Sequence, residues 1–493
     1  MKFIRSIIPY IDQENFAKEL RSTKQLNKLF DLIRFEKIKD NEEARAELFE
    51  KNVSKEAFKQ LRLRLRRKLI EFILREGAKF KNVDDYSQRY RTCMNAVAIA
   101  KYLMMNNARE TASEMSEILI KTTKKYEYTD LTLLLSRDLY DYFSVIDYHP
   151  VKTRKYRKLM NDMRNLYNAE LEANEYNAEL RAVFSESRGT LRGKLLSKTE
   201  AYVEKVKPFL DLPYRSYQLL VSIYLIYAIR YELTRDYNKL IEVCDSAIDE
   251  FQNRRVRRKA ILIYFSVYKM TCFIQLGRYI EAEEIAEYHF QAMTHGSINW
   301  FVLKAYYMIS KLYSHDYQRA FEIQREVIMC NTYQKQPSAR LQTWAVYEAH
   351  IEFLIAIGKI QTDQPSKFRL NKFLNEIPLY TKDKKGLNIA ILIIHVLFLL
   401  QQRKYAQIID REDALKQYCY RYLRKDDTFR SHCFIRMLLQ MPRADFNRMR
   451  TERYAEPFLN KLRSVPLMVS EQSIEVEVIP YEDLWEMTVE LLD

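Results

Sequence analysis

Apolar residues recur at helical spacing in five segments, 217–233, 259–276, 300–313, 343–357 and 387–402. Polar turns close these segments, and an aromatic follows four of the turns, at Tyr237, Tyr279, Tyr317 and Tyr405. The separations are 42, 38 and 88 residues; the last is twice 44, and Gly358-Lys359-Ile360 lies near its midpoint. Turns therefore recur about every 40 residues. Second amphipathic segments, 238–251, 280–292 and 318–329, follow most of them. The pattern predicts paired helices. One pair cannot bury both of its faces, so neighbouring pairs must stack and share a core.

Upstream, the pattern is helical but less regular. Leu26, Leu29, Phe30 and Ile33 share a face in the second of two short segments within 10–37. An acidic helix over 42–50 follows. Ser54 is placed to cap a long helix to residue 76, with Phe58, Leu61, Leu65, Leu69, Phe72 and Ile73 as its apolar stripe. Further helices are expected over 96–105, 113–125, 131–143 and 156–184, with breaks at 185–193 and 205–213. Downstream, residues 473–479 alternate as a β-strand does. Residues 481–493 form an amphipathic helix carrying Leu484, Trp485 and Leu491.

The clearest turn runs through residues 275–290. Its Leu276, Gly277, Tyr279 and Ala282 resemble the turn and second helix of a tetratricopeptide repeat. The resemblance covers 216–330 and, more loosely, 340–425. It departs from the family in its longer period, in Met270 where a small residue is expected, and in Leu240 and Ile408 where alanine is expected; Ala282 and Ala320 fit. A divergent, bacterial-type repeat of this kind implies an all-α solenoid, TPR-like with a period of about 40. It also implies a non-enzymatic scaffold or adaptor that binds a protein or peptide partner along the first helices. Candidate contact residues on those helices are Arg230, Lys269, Lys304 and Lys311. The expected organisation is a basic N-terminal helical bundle (1–80), irregular helical hairpins (81–213), tetratricopeptide-like pairs (214–465) and an acidic strand-and-helix tail (466–493).

Composition supports the helical reading. Only 7 glycines and 11 prolines occur in 493 residues, too few for a fold rich in hairpins or phosphate-binding loops. Charge adds a second theme. The net charge is +15; residues 1–81 hold 21 Lys and Arg against 13 Asp and Glu, whereas 466–493 hold eight acidic residues and no basic one. Residues 24–76 resemble a helix-turn-helix bundle, with Lys55, Lys59, Arg62 and Arg66 on one edge of the long helix. Two readings follow for that segment: a DNA-binding regulator whose repeats sense a partner, or a bundle that caps the array. The acidic tail is expected to dock on the basic body through Trp485.

No motif carries catalysis. Residues 188–194 have the wrong spacing for a phosphate loop and Leu195 where a magnesium-binding hydroxyl belongs. The seven histidines, at 149, 289, 295, 315, 350, 395 and 432, fall in no zinc spacing and read as surface or turn residues. Glu281, Glu283, Glu284 and Glu287 read as a solvated helix face. The six cysteines form no C-x-x-C pair and sit in apolar text, as buried thiols in a reducing cytoplasm do. The first residues lack the apolar core of a signal peptide, and the longest apolar run, 389–400, is too short to span a bilayer. The expectation is a soluble cytoplasmic protein with no cofactor, no metal, no membrane contact and no indicated small-molecule ligand.

Overall fold

One turn geometry recurs between successive helices. Arg235, Gly277, His315, Gly358 and Arg403 all adopt left-handed backbone conformations, with φ from 54° to 75°. Each stands two residues before the apolar or aromatic residue that opens the next segment. The amide that follows each one reaches back across the turn: Asp236 to Tyr231 O (3.0 Å), Arg278 to Phe273 O (2.8 Å), Asp316 to Lys311 O (2.9 Å), Lys359 to Leu354 O (2.9 Å) and Lys404 to Leu399 O (2.9 Å). This closure satisfies carbonyls that a helix end leaves orphaned. Glycine takes the conformation without strain at two of the five turns; at the others the side chain costs about 1 kcal/mol. The same closure occurs at Asn107 and Glu127.

The computed structural model describes residues 2–35, 37–38, 40–49, 55–76, 85–186, 192–363, 368–376, 387–423, 428–467 and 477–492. Among them every regular element is helical, and many helices pack in adjacent pairs. The chain divides into two compact units, Met1–Met160 and Asn161–Asp493.

In the first unit, Phe16 packs edge-on against Phe30 (4.9 Å between centroids) and Phe72 (5.1 Å). These rings centre a core made from the helices Gln13–Leu20, Lys24–Arg34 and Lys55–Glu76. Ser54 and the turn before the long helix lie outside the described residues. Farther along, Asp85–Met105, Arg109–Lys125 and Thr129–Asp141 pack each on the next. A π-helical turn, Tyr142–Ile146, then precedes Pro150, which opens a new helix as its fixed φ allows.

In the second unit, the first helices are Tyr217–Thr234, Lys259–Gln275, Ile298–Tyr313, Ser338–Ala356 and Leu387–Gln401. Second helices Tyr237–Gln252, Tyr279–Ala292 and Tyr317–Met329 pack against them. Side-chain caps mark their starts: Ser216 accepts from Leu219 N (3.2 Å), Ser297 from Trp300 N (3.3 Å) and Asp316 from Arg319 N (3.2 Å). Tyr217 is wholly buried against Phe251, as its place on the apolar stripe requires, while Tyr224, Tyr227 and Tyr231 are half-buried at the edge.

Three sequence expectations change. Residues 473–476 of the expected strand lie outside the described residues, and Glu477–Ile479 form no strand but a bend that leads into the helix Tyr481–Glu490. A strand needs a partner edge, and here the chain instead buries three consecutive residues, Glu477, Val478 and Ile479, among helices. His350 is not a surface histidine. It is 2% exposed on an apolar helix, its ring nitrogen 2.8 Å from Val346 O. The acidic face at 281–287 is not wholly solvated either, because Glu283 accepts from Tyr307 (2.6 Å) on the next first helix.

A candidate binding cleft on the first helices

Three successive first helices enclose a cavity of about 170 Å³. Glu232 enters it from the last turn of Tyr217–Thr234. Ala260, Ile263, Tyr264, Val267, Tyr268 and Thr271 line it from Lys259–Gln275, and Asn299, Val302 and Tyr306 from Ile298–Tyr313. Tyr264 and Tyr268 lie one helical turn apart, so their rings meet, with centroids 6.2 Å apart and planes at 61°. The Tyr268 hydroxyl donates to the buried carboxylate of Glu232. Burial and then that carboxylate hold the Tyr268 phenol well above its ordinary pKa, so it remains a donor. The cleft therefore presents tyrosine rings and one carboxylate side by side.

The four cations singled out on the first helices do not line this cleft. Lys269 pairs with Asp245 (2.6 Å) on the preceding second helix. Lys311 pairs with Glu283 (2.8 Å) and Asp316 (3.5 Å). Lys304, expected at the surface, is 6% exposed: its ammonium pairs with Glu326 (2.6 Å) and lies 4.2 Å from the Phe290 ring centroid. Arg230 stands 4.0 Å from Glu200. These residues tie first helices to their neighbours. Lys269 also borders a groove of about 800 Å³ shared with Asp245, Lys259, Glu284 and His289.

On the N-terminal helix, Lys59 pairs with Glu56 (3.3 Å), Arg62 donates to Asn41 (3.2 Å) and Arg66 lies over the Phe3 ring (4.3 Å). Lys55, Arg64, Arg67 and Lys68 are exposed.

The tail is built into the second unit. Trp485 is 5% exposed and shares the core with Tyr481, Leu484, Met487 and Val489. The Tyr481 ring stacks on Phe434 at 4.6 Å, and its hydroxyl lies 2.8 Å from that of Ser431. Arg430, 4% exposed, holds the segment electrostatically. Its guanidinium donates to Glu477 (2.8 and 3.0 Å), Glu482 (2.6 Å) and the carbonyls of Leu462 (3.1 Å) and Val465 (2.7 Å). Such a fork of donors suits two carboxylates, of which Glu477 is buried and Glu482 half-buried. The segment then follows the turns in order. Gln275 donates to Leu467 O, Tyr313 to Glu477 O (2.5 Å), His315 stands 3.7 Å from Asp483, and Lys359 pairs with Glu490 (3.0 Å). Sequence reasoning missed Arg430, and its place amid the apolar residues of 429–438 was the available signal.

All six cysteines are buried thiols without a disulfide. Burial pushes Cys272 and Cys419 up to about 12, which keeps them protonated and poorly nucleophilic. Among the described residues no cluster of His, Cys, Asp and Glu is placed to hold a metal ion, and no helix is long and apolar enough to cross a membrane. The phosphate-loop-like residues 188–191 lie outside the described residues. No protein-family model, curated protein or solved structure matches the chain.

Proposed function

We propose that this chain is a non-enzymatic scaffold or adaptor that binds a protein or peptide partner along the first helices of a divergent tetratricopeptide-like solenoid. The left-handed turn residues at 235, 277, 315, 358 and 403 support a period near 40 residues. The observation that carries the reading is the cleft: its lining comes from three consecutive first helices. A partner held there touches several helices at once, and each contact is modest. Affinity comes from the fixed spacing of those helices, which the lysine–carboxylate pairs to the second helices help to hold. The test is selection of peptides from a display library on the whole chain, followed by affinity measurement on wild type and Ala260→Arg. Ala260 is exposed on the cleft wall, so the arginine fills the cleft without entering the core. Selected peptides are expected to lose about tenfold or more in affinity. Peptides that bind both chains equally, or no selected peptide at all, would overturn the reading.

A further inference from the structure

Residues 145–151 of the first unit put four apolar side chains into solvent. Val145 is 81% exposed, Ile146 48%, Tyr148 72% and Val151 61%. Single exposed apolar residues are ordinary, but four within one short loop make a patch of the kind that marks an interaction surface. We infer that this loop, with the basic helix start that follows it, docks on a membrane surface of anionic lipid. The apolar side chains enter the interface, and the cations meet the head groups.

The loop is held firmly from behind. The π-helical turn before it buries Tyr142 and Phe143. The Asp147 amide donates to Tyr142 O (3.0 Å) and the His149 amide to Phe143 O (3.0 Å). The Thr153 hydroxyl donates to the same Phe143 carbonyl (2.7 Å), and the Phe143 ring stacks on Tyr156. The rings that could fold inward have done so. Val145, Ile146, Tyr148 and Val151 are left outward on a fixed backbone, so docking orders little that was free.

Charge selects the surface. The helix Pro150–Glu186 carries Lys152, Arg154, Lys155, Arg157 and Lys158 near its start and no acidic residue in its first turn. A helix N-terminus by itself favours anions, so these cations gain nothing from the helix. Against the five, residues 141–158 hold two acids, Asp141 and Asp147. Tyr156, Leu159 and Met163 bury one face of the helix. Val151, Arg154, Lys155 and Lys158, spaced i, i+3, i+4 and i+7, share the opposite face. Lys152 is committed to Glu117 (3.0 Å), and Lys155 lies against the Tyr156 hydroxyl (3.5 Å). Arg154, Arg157 and Lys158 are exposed and have no carboxylate partner among the described residues.

Reversible attachment to a leaflet draws on apolar insertion and on attraction to anionic lipid, and here the two stand side by side. A tip this exposed offers no wall to a peptide, and duplex DNA has no apolar layer to receive Val145 and Tyr148. The expectation of no membrane contact rested on the lack of a spanning run, which a surface-bound loop does not require.

Sedimentation of the whole chain with vesicles tests the proposal. One set is phosphatidylcholine alone, and the other carries about 30% phosphatidylserine to supply the anionic surface. Val145→Ser with Tyr148→Ser removes apolar surface. Arg154→Gln with Arg157→Gln and Lys158→Gln removes charge. All five positions are exposed, so neither variant disturbs the core. Wild type is expected to sediment with the anionic vesicles and far less with the neutral ones. Each variant should bind about tenfold more weakly, and the charge variant should lose most of the salt dependence. No binding by wild type, equal binding to neutral vesicles, or binding that either variant retains in full would each overturn the proposal. The scaffold reading is untouched by any of these outcomes, because its test reads peptide binding at Ala260.

Discussion

The basic N-terminal helix and the acidic tail carry matching charge imbalances, +8 over residues 1–81 and −8 over 466–493, and use them in opposite ways. Along Lys55–Glu76, Lys55, Arg64, Arg67 and Lys68 stand in solvent while Phe58, Leu61, Leu65 and Leu69 form the buried stripe. Charge and packing occupy different faces. In the tail they are fused. Glu477 is buried with Arg430, and the helix that follows puts Trp485 into the core. Charge count is therefore a poor guide to what a charged segment does. Water cancels most of the effect of one set, and the other can exist only because a partner was placed for it.

The sharpest way to break this contrast is Arg430→Ala. It leaves Glu477 buried without its cation and should lower stability by about 3–5 kcal/mol in urea unfolding. A loss below about 1 kcal/mol would mean that the tail is held by its apolar face alone.

The next effect concerns buried titrating groups of the same unit. Burial pushes His350 down to about 4, whereas an unfolded chain titrates near 6.5. The folded protein thus resists a proton that the unfolded chain accepts. Stability is unaffected above pH 6.5 and falls as pH drops from there towards 4. His350 alone accounts for about 3 kcal/mol by the end of that window. Urea unfolding at pH 7 and at pH 4.5 should show the decline, and His350→Gln should flatten it.

The smallest effect should come from the solvated set. Replacing Lys55, Arg64, Arg67 and Lys68 together by glutamine is expected to move stability by no more than about 0.5 kcal/mol per site. The same variant checks the DNA-binding alternative. If the helix neutralises several phosphates, the wild-type chain shifts duplex DNA at low salt and the variant does not. Absence of any shift by wild type would leave the helix with a structural role.

The helical layout was legible in the sequence because its signals are local. An apolar period, a polar turn and an aromatic just beyond it located the first helices 217–233, 259–276 and 300–313, each within two residues of the observed ends. Gly277 made one turn plain. Arg235, His315 and Arg403 adopt the same backbone without glycine and were readable only through their neighbours. The cleft was not legible. Glu232, Tyr268 and Tyr306 come from three helices, and nothing within one helix says which residues of the next will face it. The lysines failed for the same reason. Lys304 reads as a surface residue until Glu326 and the Phe290 ring, brought in by packing, cover it. His350 was misread as a surface or turn histidine, although a lone polar ring on an apolar helix was the available signal.

The contact between Tyr313 and Glu477 spans 164 residues of chain. At about 5–20 residues per second, a ribosome needs roughly 8–30 s to travel from one to the other. For that interval the ends of the helices around Tyr313 and His315 have been made, but the segment that covers them has not. The nascent chain carries an open apolar edge during synthesis, and the arrival of residues 477–492 is the event that seals it. That delay makes the interval before sealing the period in which a chaperone, or a neighbouring nascent chain, has access to the edge.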